Sequence, residues 1–447
     1  MSGARNERGT ALWHPFTQMS EYAAEGAPTI VAAEGCWLVD SEGRRYIDAV
    51  SSLWTNVHGH RHPRIDAAVS AQLGRFSHST LLGLDSEPAS RLAERLVEIA
   101  PGGLAHVFFS DNGSTAVEVA LKVVFQYGRP AGSDSRRKTF LHFGNGYHGD
   151  TVGAVSVGGI PLFHERFGPL LFETVRAPGP YCYRCPLGLT RADCGLACAD
   201  EFERLLDENV DRLAGVILEP MVQCAGGIIT HPDGFLRRVA DACRSRSVPL
   251  ILDEVATGFG RTGVMFACQH ESVAPDVMCL AKGITGGYLP LAATLFSEEI
   301  YQAFLGPFEN AFFHGHTYTG NALACAAALA SLDVFESEEV LRRLRGKTVL
   351  LGEALERFRD HPNVGDIRRR GFVAGVELVR DRATKEPFDP ALRTGHKVTV
   401  AARGHGVITR PLGDVLVFFP PLAISEEELE RLVEGVWRAL CEVLPAS

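Results

Sequence analysis

Short apolar runs alternate with helical patterns through the middle of the chain. The stretches Ser114–Tyr127 and Gly234–Ser245 have helical patterns. This alternation is typical of an α/β layer with a mainly parallel sheet. The runs that predict strands are His106–Ser110, Thr139–Phe143, Gly215–Glu219, Leu250–Val255, Val277–Ala281 and Leu291–Phe296. We therefore predict one large α/β domain over residues 73–329.

The two ends of the chain have a different pattern. Near the start, Cys36–Asp40 and Arg45–Asp48 flank a Ser-Glu-Gly turn, as in a β-hairpin. Ser425 and Glu428 have the spacing of a capping box and mark the start of a final helix. The other C-terminal elements predicted are strands Phe372–Leu378, Val407–Arg410 and Val415–Phe419 and a helix near Leu392–Arg403. We expect residues 1–72 and 330–447 to form one smaller α+β domain.

Composition narrows the class of protein. The 447 residues are 46% hydrophobic and 22% charged, enough to bury a large core. Lys and Arg number 44 against 54 Asp and Glu, and a net charge of −10 disfavours nucleic-acid binding. The N-terminus shows no apolar leader, and the longest uncharged stretch, residues 310–332, is too polar to span a membrane. We expect a cytoplasmic enzyme whose eleven cysteines are reduced.

Two strand ends carry candidate catalytic groups. Asp253 ends one apolar run and Lys282 ends another, at the edge where open α/β sheets bind ligands. Lys282 is one of only six lysines, and an apolar setting can lower the pKa of such an amine so that it attacks a carbonyl carbon. Taken alone, each has a simpler interpretation: a lysine stem along the sheet edge, and an aspartate that caps a helix.

Two glycine-containing loops suggest binding of a flat phosphorylated molecule. Gly113 and Ser114 join a predicted strand to a predicted helix, where free N–H groups favour a phosphate. Tyr147 lies among glycines in a loop after the next strand, which suits stacking on a ring. An ordinary helix cap and a turn with a buried tyrosine are the alternatives. Together with Lys282 and Asp253, these loops match the phosphate, ring, ring nitrogen and aldehyde of pyridoxal phosphate.

At this point the chain resembles a known family over nearly its whole length. The segments LILDEVATGFGRTGVMFACQH and LAKGITGGYLPLAAT are similar to those of the class III aminotransferases, which are fold-type-I pyridoxal-phosphate enzymes. Four further segments, WHPFT, SSLW, GNGYHGD and HGHTYTGNALAC, resemble the biotin-pathway branch of that class. The resemblance implies amino transfer to 8-amino-7-oxononanoate from S-adenosylmethionine or L-lysine. Another ω-amino acid or diamine transaminase is the alternative within the class.

The resemblance also implies roles for individual residues. Lys282 would bind the cofactor covalently and move a proton between substrate and cofactor, and Asp253 would keep the pyridine nitrogen protonated. Arg410 would pair with the carboxylate of the keto acid. Residues implied in cofactor binding are Gly113, Ser114, Tyr147, His316 and Thr317, the last two supplied by the partner subunit of a homodimer. Residues implied in substrate binding are Phe16, Trp54, Tyr147, Lys282, Gly315 and Arg410.

Three positions depart from the adenosylmethionine-using pattern. Phe16 and Val417 stand where that pattern has tyrosine, and Leu412 stands where it has an aromatic residue. Loss of two hydroxyls and one aromatic face should alter a pocket for adenosine and a sulfonium. Because HSTLLG, HGHTYTGN and TRPLGDV look more like the lysine-using branch, the donor stays open.

Three other signals suggest different chemistry. Residues 258–263 match the GxGxxG pattern of an NAD-dependent dehydrogenase, but no acidic residue follows about 20 positions on. The histidines His58, His60 and His62 alternate, although Gly59 and Pro63 favour a structural loop over a metal site. A zinc site is a further hypothesis for Cys182, Cys185, Cys194 and Cys198. A binding protein that lost the chemistry is a third class, disfavoured by Asp253 together with Lys282.

Overall fold

A seven-stranded sheet forms the centre of the chain. The computed structural model describes residues 11–129 and 135–445. In spatial order the strands of this sheet are Leu104–Ser110, Ala292–Ser297, Val277–Leu280, Leu250–Asp253, Leu213–Leu218, Thr139–Phe143 and Thr174–Ala177. Only Ala292–Ser297 runs antiparallel to its neighbours, and the other pairs are parallel. The predicted mainly parallel sheet is therefore confirmed.

The central strands are apolar throughout because both faces of the sheet are covered. Leu250 and Leu252 belong to one core, whereas Ile251 points into the other. The helix Gly113–Tyr127 covers the second face and buries a run of alanines and valines there. A strand buried on both faces loses the polar alternation of a half-exposed strand, which explains the continuous apolar runs in the sequence.

The two chain ends meet in a four-stranded sheet. Strands Ile30–Glu34, Trp37–Asp40 and Arg45–Asp48 are antiparallel, and the C-terminal strand Val407–Ile408 pairs in parallel with Arg45–Asp48. This strand is shorter than predicted, so Arg410 lies beyond its end. The domain boundaries at residues 72 and 329 stay a prediction.

A second C-terminal sheet and the helices complete the fold. That sheet has the strand order Val364–Arg370, Val373–Leu378, Val415–Phe418 and Pro411–Leu412. The right-handed α-helices of the described residues are Met19–Glu25, Pro63–Leu73, Glu87–Ile99, Gly113–Tyr127, Val152–Ser156, Pro161–His164, Ala197–Asn209, Phe235–Ser245, Glu298–Gln302, Ala322–Ser337, Val340–Glu356, Thr394–Gly404 and Glu426–Val443. None of the helices in this described part has the length and apolar character needed to cross a membrane.

The last helix begins as its sequence predicts. The Glu428 amide donates to Ser425 Oγ at 3.1 Å, and the Ser425 amide donates to Glu428 Oε2 at 2.9 Å. These two bonds satisfy helix-end donors that have no partner within the helix. The capping box is therefore confirmed.

Candidate active site

A cavity of about 810 Å³ lies at the carboxyl ends of the central parallel strands. Asp253 and Lys282 both line it, as expected from their positions after neighbouring strands. The other predicted site residues in its wall are Phe16, Trp54, Gly113, Ser114, Tyr147 and Arg410. Sequence positions up to 394 residues apart, from Phe16 to Arg410, are thus brought to one site.

Three predicted site residues lie outside this cavity: Gly315, His316 and Thr317. The Thr317 carbonyl accepts a hydrogen bond from His78 Nε2 at 2.8 Å. His316 Nδ1 lies 3.4 Å from Oδ2 of Asp111, a residue that does line the cavity. The chain alone therefore brings this segment to the rim of the cavity but not into it.

Asp253 is buried against a histidine. Its Oδ2 lies 2.7 Å from His148 Nδ1, and its Oδ1 accepts the Val255 amide at 3.1 Å. Both side chains are almost fully buried. His148 Nε2 is buried without a hydrogen-bond partner among residues 11–129 and 135–445. The aspartate is thus fixed in orientation, as needed for one defined contact with a ligand in the cavity.

Lys282 is half-buried after the strand that pairs with the Asp253 strand. It follows the strand Val277–Leu280 and has a left-handed φ of 45°. Its Nζ lies 5.1 Å from the centre of the Trp54 ring. Burial lowers the pKa of Lys282, and the carboxylates of Asp253 and Glu219 partly oppose that shift. An amine with a lowered pKa is more easily deprotonated and therefore more nucleophilic at neutral pH.

The N-terminus of helix Gly113–Tyr127 faces the cavity. Asn112 caps this helix by accepting the Thr115 amide at 3.1 Å, and the Asn112 amide donates to Thr115 Oγ1 at 3.1 Å. Thr115 therefore belongs to the cap. The helix itself offers no acceptor to the amides of Gly113 and Ser114, its first two residues. The cap and the predicted phosphate site thus coexist at one helix end.

Two glycines make room at this helix end. A methyl group on Gly113 would lie 2.6 Å from Val255 Cγ1, and one on Gly149 would lie 2.3 Å from Ser114 Oγ. Ser114 Oγ also lies 2.7 Å from Thr151 Oγ1 and accepts the Thr151 amide at 3.0 Å. The free amides, the hydroxyls and the close backbone approach fit a phosphate group.

Tyr147 is held at both ends, with its ring at the cavity. Its amide donates to Glu219 Oε1 at 3.0 Å, and its hydroxyl donates to Asp150 Oδ2 at 2.7 Å. The ring packs edge-on against Phe163, with ring centres 5.4 Å apart. It is partly exposed and lines the cavity, so the alternative of a buried turn tyrosine is wrong.

Glu219 is a buried site carboxyl that the sequence interpretation did not include. It follows the strand Leu213–Leu218, and its Oε2 accepts the Cys224 amide at 2.8 Å. It therefore ties two loops beneath the cavity, those of Tyr147 and Cys224. Burial, with a smaller contribution from Asp253, raises the pKa of Glu219 to about 7.

Glu219→Gln is expected to remove one component of the pH dependence of stability. The folded chain keeps this carboxyl protonated up to about pH 7, whereas its ordinary pKa is 4.5. Folding therefore takes up a proton between these values, so the stabilisation is complete below the lower value and lost as pH rises to the upper one. The difference in unfolding free energy between wild type and Glu219→Gln should fall by about 1.4 kcal/mol per pH unit within that window. Urea unfolding from pH 5 to 8 measures it, and a difference that does not change with pH would contradict the assignment.

The cavity wall also contains an arginine without a carboxylate partner. Arg410 lies 6.0 Å over the Phe16 ring, and burial lowers its pKa. In the described chain no carboxylate forms an ion pair with it, and only Tyr147 acts on its charge. Leu412 also lines the cavity. A half-buried guanidinium of this kind is well suited to bind a substrate carboxylate.

Val417 is not part of the pocket. It is 1% exposed and lies in the strand Val415–Phe418, paired with Gly375. The expectation that Val417 alters the donor pocket by direct contact is therefore wrong, because its side chain belongs to the core. Of the three positions that depart from the adenosylmethionine-using pattern, Phe16 and Leu412 line the cavity.

The metal hypotheses find no geometric support. The four insert cysteines surround one small cleft, but the described residues contain no group of three or more Cys, His, Asp or Glu side chains that could hold a metal ion. The alternating histidines have separate partners: His58 contacts Ser331 at 3.0 Å, and His62 contacts Glu338 at 3.0 Å. The structural interpretation of these histidines is therefore preferred.

The glycine-rich segment 258–263 does not precede a nucleotide-binding helix. The next regular element is a short 3₁₀ turn, Ala267–Glu271. Arg261 from this segment is buried and donates to the carbonyls of Phe372 at 3.0 Å and Pro420 at 2.7 Å. The segment thus joins parts of the chain, and the dehydrogenase alternative lacks the phosphate-binding helix that it requires.

Comparison with known proteins agrees with the geometry. The sequence profile of the class III aminotransferases matches residues 22–440. The adenosylmethionine-8-amino-7-oxononanoate aminotransferase of Nitratidesulfovibrio vulgaris is 57% identical over 97% of this chain and 80% of its own length.

Two solved structures have the same fold. The enzyme of that same name from Methanocaldococcus jannaschii has a TM-score of 0.92 at 44% identity, covering 97% of both chains. An amine transaminase from an uncultivated Pseudomonas species, solved in its PLP-bound form, has a TM-score of 0.92 at 35% identity, covering 98% of this chain and all of the other. The cavity residues fit pyridoxal phosphate, the cofactor of this class. The protein belongs to the class III aminotransferases and is a pyridoxal-phosphate-dependent aminotransferase of fold type I.

Proposed function

We propose that this aminotransferase converts 8-amino-7-oxononanoate to 7,8-diaminononanoate, a step of biotin biosynthesis, with S-adenosylmethionine or L-lysine as amino donor. The proposal rests on one cavity that is lined both by a lysine of lowered pKa at the strand edge and by an arginine without a carboxylate partner. The names of the similar enzymes support the same acceptor. The acceptor is a long apolar chain that ends in a carboxylate, and such a chain matches this arrangement.

Three residue groups are proposed to bind the cofactor. Bound pyridoxal phosphate supplies an electrophilic carbon and a ring that accepts electrons. Ser114 and the amide of Gly113 would bind its phosphate. Asp253, oriented by His148 at 2.7 Å, would hold a proton on the ring nitrogen. Tyr147 would pack against the ring face.

Lys282 is proposed to carry the chemistry. As a neutral amine it would hold the cofactor at its aldehyde carbon, and as a free amine it would act as the base. Its Nζ would take the proton from the amino-bearing carbon of the donor and return a proton to the new amine carbon of the product. Trp54, whose ring centre lies 5.1 Å from Nζ, would exclude water from this side.

Arg410 and Phe16 are proposed to bind the acceptor. The guanidinium would pair with the carboxylate of the keto acid through two parallel hydrogen bonds. The Phe16 ring, 6.0 Å from that guanidinium, would cover the apolar chain beside it. Removal of the guanidinium and the carboxylate from water would strengthen this pairing, because a charged hydrogen bond is stronger where water is excluded.

The cavity wall contains more acidic than basic residues. Besides Glu219, which stays protonated up to about pH 7, three acidic residues line the cavity (Asp111, Asp150 and Asp253), against Arg410 and the Lys282 amine of lowered pKa. Both candidate donors carry a positive group remote from the reacting amine, a sulfonium or an ε-ammonium. An acidic excess would favour either one. A half-reaction with each donor in the absence of the keto acid is therefore needed to assign the donor.

We also propose a homodimer in which the partner's copy of residues 315–317 completes the site. In the single chain these residues lie outside the cavity. Exposed aromatic side chains surround them, with Phe308 77%, Phe313 67% and Tyr318 57% exposed. Exposed apolar patches of this kind are typical of subunit interfaces.

Arg410→Ala is expected to raise the KM for 8-amino-7-oxononanoate by about 10- to 100-fold, the loss expected for a charged hydrogen-bonded pair. The rate of the donor half-reaction should change little, because the donor's reacting amine does not need this guanidinium. Arg410→Lys keeps the positive charge but loses the paired donors of the guanidinium. Its KM for the keto acid should lie between those of wild type and Arg410→Ala. Stopped-flow measurement of each half-reaction separates the effects, and equal damage to both would count against the role.

A further inference from the structure

Four consecutive residues beside the cavity form a left-handed turn. Ser51, Ser52, Leu53 and Trp54 have φ of 50°, 49°, 72° and 73°. Left-handed backbone is unfavourable for residues with a side chain, and it normally occurs at single positions. None of the four is glycine, so the surrounding structure must hold the turn in place.

Asp48 holds the start of the turn. This buried carboxylate ends the strand Arg45–Asp48, and its Oδ2 accepts the Ser52 hydroxyl at 2.7 Å. Its Oδ1 accepts the Val50 amide at 3.3 Å. His60 Nε2 lies 3.6 Å from Oδ2. One side chain thus contacts the turn and the residue before it.

The other side of the turn is tied to the C-terminal part of the chain. The Ser51 hydroxyl donates to the Phe419 carbonyl at 2.6 Å and accepts from Arg261 Nη2 at 3.4 Å. The Phe419 ring stacks on Trp54, with ring centres 5.2 Å apart and an angle of 21°. Trp54 is therefore fixed by its backbone and by its ring.

The turn gives the cavity a continuous wall. Ser52, Leu53 and Trp54 line the cavity one after another, together with Thr55. In an extended strand, alternate side chains would point away from it. Behind the wall, a methyl group on Gly287 would lie 3.0 Å from the Asn56 backbone, so the loop after Lys282 packs directly against the segment that follows the turn.

We propose that Asp48 is a positioning residue for the substrate: it holds residues 51–54 in the left-handed turn, so that Leu53 and Trp54 form a fixed wall opposite Lys282. The inference deepens the proposed function, since the wall would contact the apolar chain of the acceptor. A preformed wall spares the substrate the entropic cost of ordering it. Asp48 itself does not line the cavity.

The kinetic test compares Asp48→Ala with Asp48→Asn in the holoenzyme. Asp48→Ala should raise the KM for the keto acid by about tenfold, the loss expected for one hydrogen bond to a charged group. The kcat per titrated active site should change much less. Asp48→Asn retains an acceptor for the Val50 amide and should recover part of the KM. An unchanged KM with fewer active sites would indicate a fold role only and overturn the proposal.

A second test compares the stabilities of variants at residues 52 and 70. It does not require the proposed function to be correct, and it does not require Asp48 variants to fold. Ser52 and Ser70 are both exposed, but Ser70 lies in the right-handed helix Pro63–Leu73. In the left-handed turn, Ser52→Gly should have an unfolding constant about fivefold smaller than Ser52→Ala. In the helix, Ser70→Gly should have one about fivefold larger than Ser70→Ala.

If the glycine variant were less stable than the alanine variant at both sites, the turn would not be left-handed in solution. That result would overturn the proposal. If wild type fails to use 8-amino-7-oxononanoate, the proposed function is wrong. The comparison of glycine and alanine variants at residues 52 and 70 still tests whether the turn is left-handed. The KM comparison then uses whichever keto acid wild type accepts. The two failures are thus distinguishable.

Discussion

Lys282→Ala is expected to lower turnover by at least about 10⁴-fold, the upper range for loss of a positioned acid–base group. The substitution removes the amine proposed both to hold the cofactor and to move the proton. Alanine also leaves the carboxylates of Asp253 and Glu219 without the nearby cation. The visible band that arises from a covalent link between lysine and cofactor should be absent, because alanine cannot form that link.

Lys347→Ala is the matched control for this substitution. Lys347 is also a half-buried lysine of lowered pKa, but its Nζ donates to backbone carbonyls, including that of Ile424 at 3.0 Å, away from the cavity. Its loss should reduce stability and leave kcat per active site near wild type. Repeated turnover by Lys282→Ala, after contaminating transaminases have been excluded, would refute the assignment of the catalytic lysine.

Asp253→Asn is expected to lower kcat by about 10²- to 10³-fold, the range seen when one preorganised electrostatic contact is removed. A neutral amide cannot hold the proton on the ring nitrogen by charge, so the ring accepts electrons less well. The absorption maximum of the bound cofactor should shift as well. Both quantities are measured on the same holoenzyme, by steady-state turnover and by absorption titration.

The neighbouring carboxyl Glu254 offers a close control. It is fully buried, accepts the amides of Ala267 at 3.0 Å and Cys268 at 2.8 Å, and does not line the cavity. Glu254→Gln should destabilise the fold and leave the cofactor spectrum unchanged. If both variants changed the spectrum alike, Asp253 would have no specific contact with the ring.

The sequence predicted the parts of the fold that burial dictates. Strands such as Leu250–Asp253 were recognisable because burial on both faces makes them continuously apolar. Thr174–Ala177 at the edge of the central sheet was missed, since its four residues alternate in burial and include a surface arginine. Val364–Arg370 was missed because Arg368 points inward to Glu377, which hides the apolar alternation.

For the site, strand ends were the most informative signal. Asp253 and Lys282 were identified because each directly follows an apolar run. Glu219 also follows an apolar run, but the sequence predicts it only as the end of the strand Gly215–Glu219 and not as a site residue. The contact of His148 with Asp253 joins positions 105 residues apart, and no local pattern indicates it. The left-handed turn carries no glycine that would mark it in the sequence.

Two successive half-reactions can test amino transfer to 8-amino-7-oxononanoate by this enzyme. The holoenzyme is mixed with S-adenosylmethionine or L-lysine without acceptor, and the visible cofactor band is followed. We expect one donor to bleach the band and 8-amino-7-oxononanoate to restore it with formation of one equivalent of 7,8-diaminononanoate. Bleaching by S-adenosylmethionine alone would show that Phe16 and Leu412 are tolerated, whereas bleaching by lysine alone would make them candidate determinants. A band that neither donor bleaches, or that the keto acid does not restore, would contradict the proposed function.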